Sequence, residues 1–253
     1  MILKKSPEEI DVMARAGRVV ADTLDRLQEA LRPGVTTAEL DRIAAEAIAA
    51  AGGEASFLGY RGFPASICTS PNEVIVHGIP SPEVVLQEGD IVSIDVGVLL
   101  GGFHADSAWT FPVGEVAPEL AELLKVTEAA LDAALEQCQP GKRLGDVGHA
   151  VEAVVEAAGF SVVREYVGHG VGRSLHEDPH VPNYGTPGRG VPLSPGMTLA
   201  IEPMVNLGGP WTETLADGWT VVTADRSPSA HFEHTVAIVD GGRMVLTARD
   251  GVS

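Results

Sequence analysis

The chain has 253 residues, 45% of them apolar, enough to bury a sizeable core as one large domain or two small ones. Its 35 acids against 17 Lys plus Arg give a formal net charge of -18, which repels phosphate backbones and anionic membrane surfaces and argues against a direct nucleic-acid function. Two cysteines without CxxC spacing offer no disulfide framework, no apolar run approaches the roughly 18 residues of a membrane span, and MILKKSPEEI turns acidic before any signal-like segment, so a soluble cytoplasmic protein without membrane attachment is expected.

Ser6-Pro7-Glu8-Glu9 has the form of an N-cap, a first-turn proline and a capping-box Glu. Ile10, Met13, Gly17, Val20, Leu24, Leu27 and Leu31 follow at helical spacing, so a long amphipathic helix opens the fold. Thr36 and Glu39 repeat the capping spacing before Leu40, Ile43, Ala47 and Ile48, and Gly52-Gly53 stops this second helix. Residues 65 to 76 read as short strands around Pro71-Asn72, and 90 to 98 and 102 to 111 as two strands joined by a glycine-containing turn. The second half echoes that order. Leu120, Leu123, Leu124, Leu131 and Leu135 mark one helix and Val147, Val151, Val154 and Val155 the next. Strands are expected at 162 to 167, 198 to 206, 219 to 223, 230 to 239 and 243 to 247, with a solvent-facing loop near a cleft where Gly and Pro cluster between 178 and 196.

Asp95 lies in the apolar run DIVSIDVGVLL, where an inward-facing carboxylate needs a donor or a metal. If Leu100 and Gly101 form the centre of a two-residue hairpin turn, cross-strand partners sum to 201 and Asp95 faces Asp106 directly. Such a pair needs a cation or a shared proton, and hard divalent ions favour carboxylate oxygen. On spacing alone, Asp106 could equally cap a turn and Asp95 face solvent. His169 in GHGVGRSLHE, Glu202 in LAIEP and Glu233 in HFEHTVAI can complete a set of four acids and a histidine. Taken singly, Glu202 reads as a turn residue before Pro203 and Glu233 as an edge-strand charge.

The strings GYRGFPASICTSPNEVIVHGIP, DVG followed by HAD, HGVGRSLHE, IEP and FEHT resemble, in order and spacing, the signatures of type I methionine aminopeptidases, in their short bacterial-type form. The resemblance runs from the first helix to residue 247. It implies an α+β pita-bread fold, an antiparallel sheet core with outer helices, built as one domain over 1–253 with two pseudo-symmetric halves, about 1–111 and 112–247. It also implies removal of N-terminal methionine from nascent chains and peptides, preferentially before a small residue, through attack by water activated between two divalent ions (Co, Mn, Fe or Zn). By motif, Asp95 resembles a terminal ligand, Asp106 and Glu233 resemble bridging carboxylates, and His169 and Glu202 complete the second ion, with Glu202 also a proton shuttle. His77 resembles the histidine at the scissile amide nitrogen, and His176 the one that hydrogen-bonds the tetrahedral intermediate.

Tyr60, Phe63, Cys68 and Trp219 match positions that line a methionine slot in the family, with Phe57 and Leu175 nearby, although any one of them alone reads as ordinary core. Asn72, Val74 and Ser229 match a structural Na or K site. His104, His149, His180, His231 and His234 have weaker claims. Two departures stand out: Arg61 replaces a frequent histidine, and Ala105 replaces a common glycine and asks for a less permissive backbone. A monomer with transient ribosome contact is expected. The competing readings are a proline-specific peptidase using the same cage and a peptide-binding module of the same fold without catalysis.

Overall fold

The computed structural model describes residues 1–249. Its first helix, α1 (Pro7–Ala30), begins at the expected cap: Ser6 Oγ accepts the Glu9 amide at 3.3 Å, and the Glu9 carboxylate accepts the Ser6 amide at 2.9 Å. Helix α2 (Thr37–Ala50) starts with Thr36 Oγ accepting the Glu39 amide at 3.2 Å and stops before Gly52, whose φ of 76° ends helical geometry. There follow β1 (Glu54–Ala55), β2 (Ile67–Pro71), β3 (Val74–Val76), β4 (Ile91–Leu100) and β5 (Phe103–Pro112).

The second half again starts with a helix pair, α3 (Pro118–Gln137) and α4 (Leu144–Ala157). Its strands are β6 (Ser161–Val162), β7 (Gly168–Gly170), β8 (Glu177–Val181), β9 (Thr198–Ile201), β10 (Met204–Asn206), β11 (Thr212–Thr214), β12 (Val221–Thr223), β13 (Ser229–His231), β14 (His234–Val239) and β15 (Gly242–Val245). All pairings are antiparallel. β4 lies between β5 and β2 in one sheet, and β15-β14-β9-β7-β8 form another. Helix α1 packs on β4 and β5, α3 packs on α4, and β14 meets β5, so the two largest sheets touch along the strand that carries Asp106. A single apolar cluster runs from Val20 and Leu24 through Ile94 and Val96 to Leu131, Leu199 and Val236, and so draws on both halves of the chain.

Several expectations need correction. The β4–β5 hairpin turns at Gly101-Gly102, with φ of 60° and 82°, the pair of positive values that a two-residue turn of matching twist requires. Partners therefore sum to 203: Asp95 is opposite Ala108, and Asp106 is opposite Gly97. The carboxylates are diagonal neighbours, still on one face because the register differs by two residues. The expected strand at 162 to 167 shrinks to Ser161–Val162, 198 to 206 breaks at Glu202-Pro203, and 230 to 239 breaks at Phe232-Glu233. The 178 to 196 segment begins within β8, and the remainder folds onto the start of α4, where the Leu144 and Gly145 amides donate to Val191 and Arg189 carbonyls at 3.0 Å each. It lines none of the cavity described next but stays near it, since Asn183 within it donates to the Glu202 carbonyl at 2.9 Å.

Candidate metal centre

Each of the four acids and the one imidazole is placed by local backbone that the sequence dictates. Asp95 and Asp106 project from the same face of β4 and β5. Glu202 and Glu233 occupy the two strand interruptions, where the chain bends inward. Pro203 cannot donate to a ladder and ends β9, and the Glu202 carbonyl accepts Asn183 Nδ2 at 2.9 Å. The Glu233 amide donates to the Ala108 carbonyl at 2.8 Å and its own carbonyl accepts the Ser107 hydroxyl, which pins this break to β5. His169 is the middle residue of β7, paired on one side with His180 and on the other with Ala200.

These side chains converge. Ligand atoms of the buried residues Asp106, His169 and Glu233 all lie within 4.8 Å of one another. Glu202 Oε1 and Asp106 Oδ2 each stand 3.5 Å from His169 Nε2, and Asp95 lines the same cavity. His169 Nδ1 is 2.8 Å from the Gly170 carbonyl, which can only accept, so Nδ1 carries the proton and Nε2 presents its lone pair to the two carboxylates. Burial depresses the His169 pKa to about 4, so the ring is neutral at pH 7. A lone pair facing two carboxylate oxygens is repulsive unless a proton or a cation stands between them.

The acids give the same answer. Burial pushes the pKa of Asp95, Glu202 and Glu233 well above the usual carboxylate range, with the mutual negative charge adding to it. Asp106 is also raised by burial, against the pull of His176 and of the Thr235 hydroxyl. Asp95 Oδ1 is buried with no hydrogen-bond partner. Hard oxygen donors with one imidazole suit divalent Co, Mn, Fe or Zn, and the donor set does not choose among them. The residues fit a divalent centre.

Beside the acids the cavity becomes apolar. Phe57, Phe63, Cys68 and Leu175 are buried, Tyr60 and Trp219 half-buried, and together they form a satellite cluster lining a cavity of about 150 Å³ that is also lined by the four acids and His169. Gly97, opposite Asp106, leaves room for Phe57: a Cβ there would sit 2.7 Å from its ring. His77 has a φ of 60° and its ring stands edge-on to Tyr166 and Trp219, at 5.8 and 6.3 Å between centroids. The His176 ring lies 4.1 Å from His169, tilted by 37°, and stacks on Tyr60 at 5.2 Å, and burial with the neighbouring His169 lowers its pKa to about 4.

A pattern for metallopeptidase family M24 matches residues 11–240. Methionine aminopeptidase 1 of Bacillus subtilis is 53% identical over 247 residues, covering 98% of this chain and 99% of that protein. The Escherichia coli K12 methionine aminopeptidase is 47% identical, covering 97% and 93%. The crystal structure of the Thermotoga maritima methionine aminopeptidase superposes with a TM-score of 0.97 at 47% identity, covering 98% of this chain and all of that one. The chain belongs to the type I methionine aminopeptidases of family M24. A prolidase from Pyrococcus furiosus, at 22% identity and TM-score 0.78 over 98% of this chain and 66% of its own, shares the fold.

Within this metallopeptidase frame, every residue matched by motif to the metal centre or the slot lies in one cavity. Asn72, Val74 and Ser229 lie outside it: the Ser229 amide donates to the Asn72 carbonyl at 2.9 Å, and β3 packs against β13. Ala105 is buried in β5 opposite Val98 and lacks a positive φ, so the alanine costs no backbone strain. One support, Thr235, escaped the sequence reading, and a second, His231, was given only a weak claim. Thr235 Oγ accepts the Asp106 amide at 3.0 Å and shares its hydrogen between the Asp106 carbonyl and Oδ1, at 2.8 and 2.9 Å. His231 is buried with Nε2 unpartnered, 3.9 Å from Glu202 Oε2. Both adjoin Glu233 in HFEHT, and proximity to a ligand was the available signal.

The acids and imidazoles also set how the metal-free protein responds to pH. Folding lowers His169, His176 and His234 to about 4 and His231 to about 3, so the unfolded chain binds more protons and stability rises with pH up to about 6.5. The four raised carboxylates act oppositely: the folded state holds more protons, and stability falls as pH climbs through their elevated values. The histidine contribution is complete only about one pH unit above 6.5, where the unfolded imidazoles are almost fully neutral. A bound cation relieves the carboxylate repulsion, so the gain in melting temperature of metal-loaded over chelated protein should grow as pH rises. A gain that shrinks as pH rises contradicts the charge arrangement.

Proposed function

We propose that this chain removes N-terminal methionine from newly made proteins and peptides, preferring a small second residue. The observation that carries the reading is an apolar slot opening directly onto four acids and His169, in a chain about half identical to methionine aminopeptidases over their full lengths. Asp95, Asp106, His169, Glu202 and Glu233 would hold two divalent ions, with Asp106 and Glu233 shared. Bound there, such ions lower the pKa of a water and polarise the scissile carbonyl.

The remaining chemistry belongs to the chain. Phe57, Tyr60, Phe63, Cys68, Leu175 and Trp219 take the methionine side chain, with polarisable contacts for its sulfur. The carboxylates attract the free substrate ammonium, which fixes the first residue in place and excludes internal peptide bonds. Glu202, partly exposed in the cavity, takes the proton of the attacking water at a carboxylate oxygen and delivers it to the departing amide nitrogen. His77 contacts that nitrogen. His176, neutral at pH 7, offers one N–H to the developing oxyanion.

The same reading treats the chain as a single catalytic unit, a cytoplasmic monomer with transient ribosome contact, and includes a structural Na or K at Asn72, Val74 and Ser229. Among the described residues, no helix is long and apolar enough to cross a membrane. Peptide profiling tests the function: the metal-loaded protein should release methionine from Met-Ala-Ser and Met-Gly peptides and leave Xaa-Pro peptides intact. Cleavage of Xaa-Pro with intact Met-Ala-Ser would transfer the reading to the proline-specific peptidases that share the fold.

A further inference from the structure

We propose that Arg61 selects substrates carrying a carboxylate shortly beyond the scissile bond, either an acidic third residue or the C-terminus of a short peptide. This rests on the methionine reading above and adds a specificity to it. Arg61 is the single Lys or Arg among the residues that line the cavity, otherwise occupied by acids, neutral imidazoles and apolar groups. It is exposed and forms no ion pair among the described residues.

The backbone presents it deliberately. Gly59, Arg61 and Gly62 have φ of 80°, 49° and 90°, and the Gly59 amide donates to the Phe63 carbonyl at 2.8 Å, closing a tight turn. An arginine in the left-handed region is uncommon and costs energy that the surrounding turn must hold. The guanidinium stands 5.4 Å from the Tyr60 ring centroid, Tyr60 stacks on His176 at 5.2 Å, and the His176 ring lies 4.1 Å from that of His169. This ladder runs from the metal centre to the rim, with Arg61 as its outer step. An extended peptide advances roughly 3.3–3.6 Å per residue, so one held at His176 by its scissile carbonyl reaches Arg61 about two residues later. A guanidinium there matches a carboxylate in charge and fork geometry. The chain's net charge of -18 would otherwise favour basic substrates.

The test compares kcat/KM of the metal-loaded protein, Arg61→Gln and Arg61→Lys on Met-Ala-Glu-Ser, Met-Ala-Gln-Ser and Met-Ala-Lys-Ser amides, and on Met-Ala-Ser as free acid and as amide. We expect the unsubstituted protein to prefer Glu over Lys by about fivefold, chiefly through KM. The preference should shrink between ~50 and ~500 mM salt, vanish or reverse in Arg61→Gln, and survive in part in Arg61→Lys. A loss in Arg61→Gln confined to the free-acid advantage identifies the chain terminus as the carboxylate that is read. Because the turn requires positive φ, Arg61→Asn, which tolerates it, repeats the measurement if Arg61→Gln does not fold. Identical Glu/Lys and acid/amide ratios with and without Arg61 overturn the proposal. Failure of the unsubstituted protein on every peptide instead overturns the methionine reading on which it rests.

Discussion

Replacing Asp106 with asparagine should lower kcat/KM on Met-Ala-Ser by ~10³-fold or more and remove most of the bound metal, while raising the melting temperature of the chelated protein. The first two effects follow from the position of Asp106 at the meeting of His169, Glu202 and Glu233. The third follows because its charge helps to raise the pKa of Asp95, Glu202 and Glu233, and without a cation this crowding disfavours the fold. Thr235 can keep its hydrogen bond to an asparagine, so the loss comes from the charge and not from collapse of β5. Kinetics, metal analysis and thermal melts on one preparation check all three. An asparagine variant with full metal content, or with a chelated form less stable than the parent, would contradict the account.

His77→Ala should lower kcat about 10²-fold or more yet leave the metal content intact. His77 lines the cavity without joining the cluster of ligand atoms, and its ring is held edge-on between Tyr166 and Trp219. His77 already sits at a φ of 60°, a conformation in which histidine and asparagine are enriched over alanine, so His77→Asn separates lost chemistry from lost stability. Both variants should lose rate to a similar degree. Loss of metal from His77→Asn would mean that this histidine is a ligand.

Much of this was legible because helices advertise their ends. Ser6 and Glu9 cap α1 as their spacing demands, and Gly52 follows the end of α2. The strands were read less well because their identity comes from partners distant in the chain. β7, with two glycines in three residues, and β8, with a proline, carry little strand propensity and form by pairing with each other and, for β7, with β9. The breaks at Glu202 and Glu233 fall inside the segments 198 to 206 and 230 to 239 expected as unbroken strands, although those interruptions are where the two acids stand. The hairpin register was misplaced by two, and the shared face of Asp95 and Asp106 survived because side chains alternate with a period of two. Spacing alone could not choose between a metal pair and two unrelated carboxylates. The choice came from the converging lone pair of His169 and the unpartnered oxygen of Asp95.

Anomalous diffraction from crystals grown with Mn(II) tests the central claim most directly. Two strong peaks are expected within the cavity, both touching Asp106 and Glu233, with Asp95 on one ion and His169 and Glu202 on the other. No peak there, or peaks held by other residues while Asp95 Oδ1 stays unliganded, would contradict it.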